Sequence, residues 1–114
     1  MDITFKTKKL QKLCISDASL KKEFGEACAK KIRQRLDEIE ASDNMSILKR
    51  VHPRLHPLKG ERKKRMQHAL DLKHPYRLII EPDHNPVPLK EDGGLDYKNI
   101  TVAQVVEVED YHGK

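Results

Sequence analysis

A chain of 114 residues has room for one modest hydrophobic core and not for two, so a single domain over 1–114 is expected. With no Trp and only three Tyr and two Phe, that core must be built from Leu, Ile and Val. The 23 basic residues outnumber 18 acidic ones, and the net charge of +5 favours nucleic acid or another polyanion as partner, or else simply a well-solvated basic surface. No run approaches the roughly 18 apolar residues of a membrane span. Residues 1–6 also lack the apolar centre of a secretory leader, so a cytoplasmic protein away from membranes is expected. Cys14 and Cys28 have no C-x-x-C spacing and are too few for a disulfide framework, which predicts buried, reduced thiols.

In chain order, Ile3 and Phe5 alternate with polar neighbours and predict an opening strand, and Leu10, Leu13 and Cys14 predict a brief helix after it. Ser16, Asp17 and Ser19 are residues that cap a helix start. Beyond them Leu20, Phe24, Cys28, Ile32, Leu36 and Ile39 form one apolar stripe, which predicts a single long helix ended by Ala41-Ser42-Asp43-Asn44. Gly25 inside that helix costs stability relative to Ala, and close packing on the first helix is the expected compensation. From Met66 the period shifts toward two: 66–72 and 76–80 read as strands joined at Lys73-His74-Pro75, and 100–108 as a last, Val-rich strand. Between them Pro82, Pro86, Pro88, Gly93 and Gly94 forbid regular pairing, so 82–99 is expected to be a long exposed loop. A short N-terminal strand, two helices and then a mostly antiparallel sheet of about four strands is an α+β arrangement with its helices on one face.

Three blocks in this order carry a family likeness. Leu55-His56-Pro57-Leu58-Lys59-Gly60, then Tyr76-Arg77-Leu78-Ile79-Ile80, then Val106-Glu107-Val108-Glu109-Asp110-Tyr111-His112 closely resemble the HigB toxins, or plasmid maintenance system killer proteins, of the RelE/ParE superfamily. The likeness covers nearly the whole chain and implies a RelE-like fold. It further implies the toxin of a type II toxin–antitoxin system: a ribosome-dependent mRNA endoribonuclease (mRNA interferase), without cofactor or metal, held inactive in a hetero-oligomer with a cognate HigA-like antitoxin. By position, the family's L-H-P-L histidine is His56, the arginine of its W/Y-R strand is Arg77, and its terminal D-Y-H is Asp110, Tyr111 and His112. Residues 66–72 depart from the family's aromatic-rich strand, and 82–99 is longer than its hairpin. The ParE branch shares the architecture and acts on DNA gyrase. The alternatives are therefore a gyrase inhibitor that is no nuclease, against which His56 and His112 weigh, and an inactive relative that only binds antitoxin or nucleic acid.

The residue types suit RNA cleavage through the 2′-hydroxyl, which requires removing that proton, stabilising charge on the phosphorus oxygens and protonating the departing 5′-oxygen. Histidine, with an unperturbed pKa of about 6.5, can accept or donate a proton near neutrality, so His56 and His112 can exchange the protons and Asp110 can orient a ring. Arg77 offers a two-pronged fork for phosphate, Lys59 a point charge, and Arg62-Lys63-Lys64-Arg65 a basic run able to track a nucleic-acid backbone. Tyr111 can stack on an unstacked base or hydrogen-bond a phosphate. Each has a plainer reading: His56 bonding a turn, Arg77 pairing with Glu81 or Asp71, the basic run as a solvated turn. Strand alternation also sets Val106, Val108, Asp110 and His112 on one face and Tyr111 on the other, unless the strand ends or bulges near Asp110. His52 and His56 have a zinc-compatible spacing, but Pro53 between them breaks a helix and no Cys pair accompanies them, so no metal is expected.

Overall fold

The computed structural model describes residues 1–111. Strand β1 (Asp2–Phe5) turns Ile3 and Phe5 onto the core, and Thr7 then caps helix α1 (Lys8–Cys14) by accepting the Leu10 N–H. Ser16 does the same for α2 (Asp17–Phe24), through the Ser19 N–H. The expected single long helix is in fact two. Gly25 sits at φ 84°, ψ 163°, a backbone region essentially closed to residues with a side chain, and it separates α2 from α3 (Glu26–Ala41). A Cβ placed on Gly25 would meet nothing within 4 Å, so the glycine is there for its backbone angle and not for close packing. The apolar stripe survives the break: Leu20 on α2 and Ile32, Leu36 and Ile39 on α3 are all in the core.

Residues 41–44 end one helix and start another. The Asn44 side chain accepts the Ile47 N–H at the head of α4 (Met45–Val51), a helix the apolar pattern did not announce, which buries Met45 and Leu48. A two-residue strand β2 (His56–Pro57) and a single helical turn α5 (Glu61–Lys64) lead into β3 (His68–Asp71), β4 (Tyr76–Pro82) and β5 (Val102–Asp110).

The sheet has five strands in the order β1-β5-β4-β3-β2, against about four expected. Here β1 runs parallel to β5, and the other neighbours are antiparallel. One face carries Leu70, Leu78, Ile80 and Val105 against the helices, and Phe24 of α2 meets Tyr76 of β4 edge to face with 5.2 Å between ring centroids. On the other face a small cluster of Leu58, Ala69 and Ile79, with Val106 against it, covers part of the sheet. Ile79 pairs with Glu107 and Ile80 with Val105, so Val106 is the extra residue of a β-bulge.

The expected long exposed loop is partly a folded element, and Pro82 belongs to β4, opposite Ala103. Leu89 bridges Leu95, Gly93 at φ 86° supplies the turn between them, and the Asp96 N–H donates to the Pro88 carbonyl at 3.0 Å. A 3₁₀ turn over Tyr97–Asn99 then delivers the buried Ile100 to the core. Among the described residues no helix is long and apolar enough to cross a membrane.

Candidate functional site

The antiparallel register of β4 and β5 sets Arg77 opposite Glu109 and Ile79 opposite Glu107. The bulge lies before this stretch and not near Asp110, so alternation runs regularly from Glu107 onward, and Glu107, Glu109 and Tyr111 share the face turned away from the helices. There Arg77 donates from Nε and Nη2 to Oε1 of Glu109 at 3.0 and 2.7 Å. Both side chains are only 15% exposed, deep enough for the pairing to fix them in place. The Tyr111 ring lies over the guanidinium, 3.8 Å from centroid to Cζ, and its backbone N–H holds it there by donating to the Pro75 carbonyl at 2.8 Å. From α5, Arg62 brings Nη1 to the other oxygen of Glu109, Oε2, and Nη2 to within 3.4 Å of Glu107. Nη1 of Arg62 and Oε2 of Glu109 are both buried atoms without a hydrogen bond, and they face each other as an ion pair. One carboxylate is thus gripped by two guanidiniums, one on each oxygen.

His56 stands at the sheet edge, exposed, opposite Ala69, which is itself opposite Ile79. That ladder places its backbone two strands and two residues from Arg77, roughly 12 Å away at about 4.8 Å per strand and 3.4 Å per residue. The ring Nδ1–H donates to the Arg54 carbonyl at 2.8 Å, because a carbonyl can only accept. In the neutral ring this leaves the Nε2 lone pair as the basic site.

The remaining sequence candidates scatter. Asp71, opposite Arg77 in the ladder, pairs instead with Arg54, and Glu81 lies opposite Gln104. Arg77 does have a structural partner, but it is Glu109. The basic run is one helical turn and its cap: Arg62 turns onto the sheet, Lys64 pairs with Glu61 at 3.2 Å, and Lys59, Lys63 and Arg65 are exposed. Asp110 pairs with Tyr76 and by alternation belongs to the opposite face from Arg77. His112 lies outside the described residues. His52 is engaged with α3, its Nε2 2.6 Å from Oε1 of Glu38. Burial opposes charge on Glu38, but hydrogen bonds from His52 and Arg35 outweigh it and hold the carboxyl below the ordinary value.

Comparison with protein-family models, curated proteins and solved structures gives no match.

Two groups were missed by sequence reasoning. Glu109 was one of them, although part of its signal was present: Glu107 to Tyr111 alternates so that two glutamates and a tyrosine fall on one side of a strand. The other is a pair in which the buried His68 meets the partly buried Tyr97 of the 82–99 segment. His68 donates from Nδ1 to the Met66 carbonyl at 2.9 Å and accepts the Tyr97 hydroxyl on Nε2 at 2.7 Å. Burial pulls its pKa below the ordinary 6.5, and the ring stays neutral. Met66 itself adopts φ 60°, a left-handed backbone that a non-glycine residue seldom holds. The pair floors a cleft of about 300 Å³ lined by Pro57, Met66, Leu89 and Leu95. Among the described residues no group of three or more His, Cys, Asp or Glu is placed to hold a metal ion.

What the arrangement can do chemically follows from its geometry. Two arginines that converge on the two oxygens of one carboxylate present the donors a phosphate would use, and the His56 imidazole stands at the edge of the same face.

Proposed function

We propose that the chain is the toxin of a type II toxin–antitoxin system, HigB-like within the RelE/ParE superfamily and with a RelE-like fold. In this reading it is a cytoplasmic endoribonuclease that cuts translated mRNA on the ribosome and is restrained by a HigA-like antitoxin. The observation that carries it is the convergence of Arg62 and Arg77 on a single anion on the open sheet face, with Tyr111 over Arg77 and the basic nitrogen of His56 at the edge of the same face. A nucleotide lying across Ile79 would span the two. His56 then removes the 2′-hydroxyl proton, and the arginines hold the charge that builds on the phosphorus oxygens. Lys59 adds a point charge, the exposed Lys63, Lys64 and Arg65 follow the backbone of the message, and His112, by its place in the family motif, protonates the departing 5′-oxygen.

The test separates charge from geometry. Arg77→Lys keeps the positive charge and loses the fork, so single-turnover cleavage of ribosome-bound message should fall by an amount corresponding to about 2–4 kcal/mol of transition-state stabilisation while RNA binding barely changes. His112→Ala should slow cleavage by roughly 10²–10⁴. Wild-type rates in both variants, with melting unchanged, would remove the mechanism. Inhibition of gyrase supercoiling without any cleavage would favour the ParE-like alternative.

A further inference from the structure

The pocket that the proposed mechanism reserves for phosphate is already filled by a side chain of the protein itself. Oε1 of Glu109 takes two hydrogen bonds from Arg77 and Oε2 takes the Arg62 guanidinium, all within the protected part of the open face. Two guanidiniums held side by side need an anion between them, because each is a charge facing its like and Arg77 is mostly shielded from water. Nor can a phosphate simply be added: beside Glu109 and Glu107 it would bring a third negative group to two positive ones. The geometry points to exchange. We infer that Glu109 is a resident stand-in for the substrate phosphate, neutralising Arg62 and Arg77 in the free protein and yielding them to a phosphodiester of single-stranded RNA.

Arg62 is the arm suited to the handover. It rides on a single helical turn and is 36% exposed against 15% for Arg77, and Glu107 at 3.4 Å gives it a second partner while the carboxylate of Glu109 swings clear. Arg77, held near the start of β4 by Glu109 and lying under Tyr111, is the fixed half of the site.

The ligand class rests on the nuclease reading, but the two can fail separately. The probe is a ten-nucleotide RNA carrying 2′-O-methyl groups throughout, which cannot be cut, bound to purified full-length protein across a salt series. Glu109→Gln keeps the shape and removes the competing charge, so affinity at low salt should rise roughly five- to twenty-fold, and the slope of log K against log salt should steepen by about 0.7, the value of one further neutralised phosphate on a single strand. Glu107→Gln, which touches only Arg62 and at longer range, should move both far less. An unchanged or weaker affinity in a folded Glu109→Gln protein overturns the inference. If that variant does not fold, the Arg77 Nε–H resonance of the wild-type protein is followed as inorganic phosphate is added: a saturable shift supports exchange, and a resonance that never moves overturns it. Tighter binding by Glu109→Gln together with no cleavage by the wild type would sink the nuclease reading and leave the exchange standing; cleavage with no change in affinity would do the reverse.

Discussion

His68 sits in an environment unlike that of its free side chain. It is almost wholly buried, with both ring nitrogens committed, one donating to Met66 and the other accepting from Tyr97. A proton added at Nε2 would face the hydroxyl oxygen in place of its hydrogen and would have to be carried without water, so burial lowers the pKa. The sign follows from linkage. The unfolded chain takes up this proton as pH falls through 6.5 while the folded one does not, so the histidine's contribution is complete above that value and is lost progressively below it. The melting temperature should therefore decline between pH 7 and pH 5, and His68→Gln, which has no such proton to gain, should flatten that decline. Thermal melts of the two proteins across the range decide it; parallel curves would mean that other groups carry the pH dependence. Burial also lifts the Cys14 thiol to about 11, only partly opposed by Arg33, which keeps it protonated and unreactive.

At the scale of elements, the hinge between α2 and α3 depends on one residue. Gly25→Ala places a side chain where space is open but the backbone angle forbids it, and the cost should be about 1–3 kcal/mol, read as a lower urea midpoint with an unchanged slope. A loss below a few tenths would mean that α2 and α3 can merge into the straight helix the apolar stripe suggests. That stripe shows what the residues reveal unaided. Leu20, Ile32, Leu36 and Ile39 mark the buried side correctly, because periodicity records which way side chains face. It does not record a change in helix axis, so the close packing expected at Gly25 stood in place of the break that is found there. Helix α4 stayed hidden because its start signal, Asn44, doubles as the stop signal for α3, and because seven residues with two buried apolar ones make too short a pattern. Strand β2 is set by its pairing with β3 rather than by its own composition. At the site, His56, Arg77 and Tyr111 stand out by residue type, whereas the role of Glu109 depends on a register fixed across 32 positions of chain and on a bulge at Val106 that no local pattern announces.

The described residues form two layers, α1 to α4 over one face of the sheet and the charged network, to which α5 contributes Arg62, on the other. Its excess of positive charge is therefore not concentrated at the proposed site, where Arg62 and Arg77 are balanced by Glu107 and Glu109, and the exposed Lys59, Lys63 and Arg65 carry charge around the rim. Long-range attraction of a message would come from the rim, and recognition from Arg62 and Arg77. In a cell, the proposed function predicts that expressing this chain alone arrests growth and translation, and that producing a cognate antitoxin beside it restores both. Growth and protein synthesis that continue unaffected would count against the toxin reading at this scale, whatever the behaviour of single variants.

The sheet order places the first strand beside the last. Asp2 of β1 lies opposite Val102 of β5, and β5 also borders β4, so this one segment completes the hydrogen bonding of two neighbours and contributes Ala103 and Val105 to the core. On a ribosome, where the chain emerges from its N-terminal end, the helices must wait for a floor strand that is made after all of them. Nascent chains arrested with residue 100 outside the exit tunnel should be cut readily by added protease, and those exposing residue 111 should resist; resistance at the shorter length would show that the helices and β4 assemble without β5. Until β5 has left the tunnel, β1 and β4 would therefore lack the strand that joins them, and Arg77 would have no Glu109 to pair with.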